Sequence, residues 1–113
     1  MVRFSSQWLN EMNIIGREIL HKYWEEKRET ENSLKTWIQT IEQNSWKHIF
    51  DLKQTFRFAD AVGNCTAFNI KGNHYRLITQ INFQTQTVRV LYVLTHKQYD
   101  EKGWKRNDCD CWE

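Results

Sequence analysis

The chain changes its hydrophobic period once, near Asp60, and that change constrains the fold more than any other feature. Before it, apolar residues recur at helical spacing. Leu34, Trp37, Ile38 and Ile41 stand at i, i+3, i+4 and i+7, the signature of an amphipathic helix. Upstream, Met12-Asn13-Ile14-Ile15 leads into a helical pattern that runs to Lys27. There Ile15, Ile19, Leu20, Tyr23 and Trp24 trace one broad face. Asn13 or Gly16 marks the expected helix start. Thr30-Glu31-Asn32-Ser33 supplies cap and turn residues between the two helices. Ser45 to Phe56 suits a shorter helical turn.

After Asp60 the period falls to two. Cys65–Ile70 is a short apolar strand candidate, and Lys71-Gly72-Asn73 is a turn signal. From His74 to Asn82 the chain alternates, with Tyr75, Leu77, Thr79 and Ile81 on one face and His74, Arg76, Ile78 and Gln80 on the other. Thr87–Thr95 is rich in β-branched and aromatic residues. Its strict alternation puts Val88, Val90, Tyr92 and Leu94 on one side and Arg89, Leu91, Val93 and Thr95 on the other. Three strands joined by tight turns predict an antiparallel meander. Helices first and strands afterwards predict an α+β domain, with the two N-terminal helices packed on one face of an antiparallel β-sheet.

A length of 113 residues fits one domain, and a hydrophobic fraction of 40% with six Trp and six Phe supplies its core. No apolar run approaches the roughly 20 residues that span a bilayer. The start, MVRFSSQWLNE, has neither an apolar stretch nor a cleavage site of the secretory kind. A cytoplasmic protein without a membrane partner is the expectation. Three cysteines argue against a disulfide framework, and Cys65 reads as a small buried hydrophobe. Cys109 and Cys111 offer two thiolates where a structural zinc needs four ligands, so neither metal nor cofactor is expected.

Charge is unevenly spread. Residues 1–60 carry nine Lys/Arg and nine Asp/Glu. Residues 61–107 carry seven Lys/Arg against Asp100 and Glu101, and the last six residues carry Asp108, Asp110 and Glu113. A positive half suits a polyanionic partner, and equally a solvated face. Between Ala61 and Tyr99 there is no carboxylate at all. Phosphodiesterases that use Mg²⁺ hold it through clustered carboxylates, so that class is weakened. RNA carries its own nucleophile, the 2′-hydroxyl. Its cleavage needs a base, a cation on the phosphate and an acid for the leaving oxygen.

His96 stands at the end of the last strand, and its unperturbed chemistry suits either proton transfer. It is also readable as a surface His at a strand end. Arg76 lies mid-strand among apolar residues, where an Arg faces solvent, a carboxylate or a phosphate. Tyr99 and Asp100 share a face with His96 if the chain turns helical there. Tyr99 then orients, donates a proton or stacks, or simply anchors the C-terminal turn. Lys71, Asn73 and Asn69 frame the hairpin turn, and Lys53 and Lys97 add cations.

The strings Phe68-Asn69-Ile70-Lys71-Gly72-Asn73-His74-Tyr75-Arg76-Leu77-Ile78 and Thr95-His96-Lys97-Gln98-Tyr99-Asp100 resemble the HigB toxin family, within the wider RelE-like ribonucleases. Met12–Ile15, Leu34–Trp37, Trp46 and Asp60–Asn64 match in order and spacing, so the resemblance covers roughly Met12 to Lys102. It implies a RelE-like fold with helices against a curved antiparallel sheet. It implies mRNA cleavage, commonly on the translating ribosome, and neutralisation by a helix-turn-helix (HigA-like) antitoxin. Carried to matching positions, it makes Arg76 the phosphate clamp and His96 and Tyr99 the proton-transfer and orienting residues. Lys71 and Asn73 become RNA contacts, with Asn69, Lys97 and Lys53 beside them. Residues 1–11 are expected to form an N-terminal extension, 12–104 the toxin domain and 105–113 an acidic tail. A non-catalytic RNA- or ribosome-binding module on the same fold is the competing reading. A DNA-binding repressor fits poorly, because no helix combines helix-turn-helix spacing with basic residues.

Overall fold

A computed structural model describes residues 12–101 and Trp104. The extension, the tail, Cys109 and Cys111 lie outside the described residues. Met12–Ile15 does not extend the first helix. Asn13–Ile15 forms strand β1, and helix α1 (Arg17–Glu26) begins after it. Gly16 separates the two at φ +95°, in the left-handed region. A Cβ there would sit 3.0 Å from the Val90 carbonyl oxygen and 3.3 Å from the Val90 Cβ. Glycine is therefore required both by the backbone turn and by the close approach of the neighbouring strand. Ile15, expected on the helical face, is instead 54% exposed.

A turn at Arg28–Thr30 leads into α2 (Glu31–Glu42). Thr30 is fully buried and donates its hydroxyl to the Lys27 carbonyl at 2.7 Å. Leu34, Trp37 and Ile41 of α2 are buried, as their spacing predicts. The short helix α3 (Ile49–Thr55) follows, with the His48 ring accepting the Asp51 N–H at its start. Then come β2 (Asp60–Val62), β3 (Cys65–Ile70), β4 (Tyr75–Asn82), β5 (Thr87–Thr95) and α4 (His96–Glu101).

The five strands form one sheet in the order β1-β5-β4-β3-β2. The expected meander β3-β4-β5 is antiparallel, and β2 adds antiparallel to β3. β1 pairs with β5 in parallel, Asn13 opposite Thr87, which makes the sheet mixed. Strand β1 is only three residues long, too short to show a period of its own.

One sheet face carries Phe68, Ile70, Tyr75, Leu77, Val88, Val90 and Val93 and packs with Leu20, Trp24, Leu34, Trp37, Ile41, Trp46 and Leu52. The opposite face carries a smaller cluster of Val62, Cys65, Ala67 and Ile78, covered by Trp104 with Tyr92, Leu94 and Tyr99 beside it. Strand β5 reaches both faces out of step with strict alternation. Ile78 pairs with Tyr92, yet the next residue, Thr79, pairs with Val90, so Leu91 has no β4 partner in register. Such a bulge flips the parity beyond it. Tyr92 and Leu94 therefore leave the side of Val88 and Val90, where alternation put them, and Val93 takes that side instead. Cys65 is buried, as expected.

Gly16→Ala is expected to destabilise the protein by about 1 kcal/mol or more, because the alanine meets both the positive φ and the Val90 backbone. Urea denaturation checks this, and an unchanged midpoint would remove Gly16 from the account.

Candidate active site

The second residue of β4 is Arg76. Its neighbours Tyr75 and Leu77 point into the helix-side core, so alternation puts Arg76 on the opposite face. There it stands in register with Asn69 on β3 and Leu94 on β5. Its guanidinium is held by the turn just before it. Nη2 donates to Asn73 Oδ1 at 2.5 Å, and Nη1 donates to the carbonyls of Tyr75 at 3.1 Å and Asn73 at 3.3 Å. Its Cζ also lies 5.3 Å from the centroid of the Tyr99 ring. Hydrogen bonds from a charged donor contribute about 1.5–3 kcal/mol each and an exposed cation–π contact about 0.5–1, so the turn sets the orientation more than the ring does. Among the described residues no carboxylate forms an ion pair with Arg76.

Asn73 also fixes His96. The His96 N–H donates to the His74 carbonyl at 2.9 Å, and its Nδ1 lies 2.9 Å from the Asn73 carbonyl oxygen. Its Nε2 lies 3.0 Å from Asp100 Oδ2, one helical turn ahead. A carbonyl oxygen only accepts, so Nδ1 carries the proton in this arrangement. Both ring nitrogens face acceptors.

Tyr99, on the same helix, stacks on Trp104 with ring centroids 5.3 Å apart and planes at 20°. The indole N–H of Trp104 returns a hydrogen bond to the Tyr99 carbonyl at 3.1 Å, and the Tyr92 hydroxyl donates to the Trp104 carbonyl at 2.8 Å. The Tyr99 hydroxyl donates to Asp60 Oδ2 on β2 at 3.3 Å. Burial pushes the Tyr99 phenol above its ordinary value; the Asp60 charge and hydrogen bond add to this, and Arg76 opposes it. On the other side of β4, the Tyr75 hydroxyl donates to Glu29 Oε2 at 2.5 Å, which ties the α1–α2 turn to the strand end bearing Arg76. That hydrogen bond, with burial, pushes the Tyr75 phenol up to about 12.

Lys53, Asn69, Asn73, Arg76 and Tyr99 line one cleft of about 440 Å³, together with Arg57, Phe58 and Asp60. Of the residues singled out in the sequence, these five therefore meet. His96 joins them through the Asn73 carbonyl. Lys71 borders an adjoining hollow that shares Asn69 with the cleft. Lys97 is exposed on α4 and is not among the residues lining the cleft. Five cleft residues were not foreseen as site residues: Arg57, Phe58 and Asp60, with the small Ala59 and Ala67. The run Phe56-Arg57-Phe58, a cation between two aromatics just before a strand, was the available signal. Among the described residues no three His, Cys, Asp or Glu side chains gather closely enough to hold a metal.

Residues 30–102 match the model of the HigB toxin family, the RelE-like toxic component of a toxin–antitoxin system. The chain belongs to the HigB toxin family. No curated protein is similar enough to this chain to count as a match. The matched stretch contains every residue that lines the cleft, and His96, and β1 and α1 precede it. As a HigB-family toxin, the chain has an antitoxin for a partner. Among its described residues no helix is long and apolar enough to cross a membrane.

In this toxin the Tyr99 phenol is expected to titrate above its ordinary value. Asp60→Asn should bring it part of the way down and leave the contribution of burial. Arg76→Ala should move it further up. Ring-labelled tyrosine NMR across alkaline pH reads both shifts, and a Tyr99 signal indifferent to both substitutions would contradict the described contacts.

Proposed function

We propose that this HigB-family toxin is an endoribonuclease that cuts mRNA without a metal, on the translating ribosome, using the RNA's own 2′-hydroxyl. The observation that supports this most is the convergence of Arg76, His96 and Tyr99 on Asn73 and the cleft beside it. In the reaction the 2′-oxygen bonds to the adjacent phosphorus and the bond from phosphorus to the 5′-oxygen breaks. The 2′-proton is lost to solvent water, and the leaving 5′-oxygen gains a proton from His96. The products are a 2′,3′-cyclic phosphate and a 5′-hydroxyl.

Arg76 takes the phosphate. Its planar fork matches two phosphate oxygens, and its preset orientation adds no reorganisation as charge develops. His96, with both nitrogens facing acceptors, is the proton donor to the leaving oxygen once RNA displaces the Asp100 contact. Tyr99 has its phenol raised and therefore keeps its proton at neutral pH. Once RNA displaces the Asp60 contact, it orients the phosphate as a hydrogen-bond donor rather than acting as a base. Asn73 and Asn69 contact RNA beside it, while Lys53, Lys71 and Lys97 strengthen the field that attracts the backbone. Residues 12–104 constitute the toxin domain, with 1–11 and 105–113 as appendages, and the site works in the cytoplasm. The partner antitoxin is of the helix-turn-helix, HigA-like kind, and it neutralises by covering the cationic face.

In a purified translation system, wild-type protein is expected to produce discrete mRNA cuts. His96→Ala and Arg76→Ala should each slow cleavage by about 100-fold or more. Where free RNA is also cut, EDTA should leave that cutting unchanged. Intact mRNA with translation still blocked would replace the enzyme with a ribosome-binding module.

A further inference from the structure

The loop between α3 and β2 ends in a tight turn, closed by the Ala59 N–H donating to the Phe56 carbonyl at 3.0 Å. Both ends of this turn are anchored. Phe56 packs edge-on against Phe68, with centroids 4.9 Å apart, and Ala59 is 3% exposed. Arg57 and Phe58 form the tip. Phe58 is 71% exposed, although a phenyl ring ordinarily gains by burial. It lines the cleft that holds Arg76 and Tyr99, and also the adjoining hollow of about 290 Å³ that shares Asn69 with it. The Arg57 guanidinium lies 5.9 Å from its ring centroid. Phe50 is equally exposed, but it is not among the residues lining the cleft.

We propose that Phe58 is a stacking platform for the RNA base next to the phosphate held by Arg76. This rests on the ribonuclease reading and deepens it. A solvent-facing aromatic on an anchored turn at the rim of a cationic cleft suits a base, whose two faces are apolar while its backbone is anionic. Arg57 supplies a cation for the phosphate that follows that base and stacks beside the ring. Lys53 and Arg76 lie in the same cleft, with Asp60 the one carboxylate among its lining residues. That charge balance favours RNA over an acid-poor protein segment as the occupant. Phe58 is a positioning residue here, since it touches the substrate away from the reacting atoms.

The test uses an mRNA with a single 2′-deoxy nucleotide at the cut site, so that binding is read without cleavage, free and on programmed ribosomes. Abasic nucleotides are then placed one at a time on either side of the cut. One abasic position should weaken binding by wild-type protein about 5- to 150-fold. Phe58→Ala should weaken binding of the intact RNA to a similar degree and lose nothing further at that abasic position. Phe58→Trp should restore binding. With cleavable RNA, Phe58→Ala should raise KM and leave kcat within about threefold. Penalties that simply add, at every abasic position, would overturn the proposal. So would a Phe58→Ala variant that weakens antitoxin binding while leaving RNA binding intact. Binding without cleavage by the wild type would overturn the ribonuclease reading but leave the Phe58 result readable. Absence of RNA binding, free and on ribosomes, would overturn both.

Discussion

The centre of β4 is buried on both faces, and the rest of the molecule is arranged around that requirement. Leu77, Ile78 and Thr79 are each fully buried although successive strand residues point in opposite directions. One face needs the helices and the other needs Trp104, Tyr92 and Tyr99. Thr79 resolves its own polarity by donating its hydroxyl to the Thr66 carbonyl at 3.0 Å. Each buried aliphatic side chain in such a place contributes about 2–5 kcal/mol against truncation, which makes this strand the least movable part of the fold. Arg76 sits one residue before that locked segment. Its position is inherited from the core rather than from a loop.

The second support of the site is the turn residue Asn73. Its side chain holds Arg76, and its carbonyl faces the His96 ring. The β3–β4 turn and the β5–α4 junction are thereby joined at one residue. The guanidinium and the imidazole are both tied to this turn residue, and among the described residues no carboxylate pairs with the guanidinium. An anionic ligand is the physical complement of that arrangement, because it takes up the guanidinium donors that the turn leaves free. Tyr99 adds a neutral donor, kept neutral by burial and by Asp60.

Much of this was legible in the sequence. The α2 spacing, the β3-β4-β5 meander and the solvent-side placement of Arg76 follow from period alone. The sharing of one helix face by His96 and Asp100 follows from their separation by four residues. What was not legible depended on long-range geometry. Strand β1 is only three residues, an asparagine and two isoleucines, and only its pairing with β5 distinguishes it from a helix start. The bulge at Leu91 carries no local signal, since Val, Leu and Tyr suit either side of a strand; it inverted the expected facing of Tyr92, Leu94 and Val93. Asp60 and Phe58 enter the site because β2 lies beside β3, a pairing that neither residue type announces. The double role of Tyr99, core stack and cleft wall, combines the two alternatives that its sequence context left open.

The central claim is that the RNA's own 2′-hydroxyl is the nucleophile and that Arg76 and His96 serve that attack. The most direct measurement is the chemistry of the product ends on mRNA cut by the wild-type toxin on programmed ribosomes. The account predicts a 5′-hydroxyl on the downstream fragment and a 2′,3′-cyclic phosphate, or the 3′-phosphate it opens to, on the upstream one. A 5′-phosphate facing a 3′-hydroxyl would mean that water attacked instead, and would contradict the role assigned to this site.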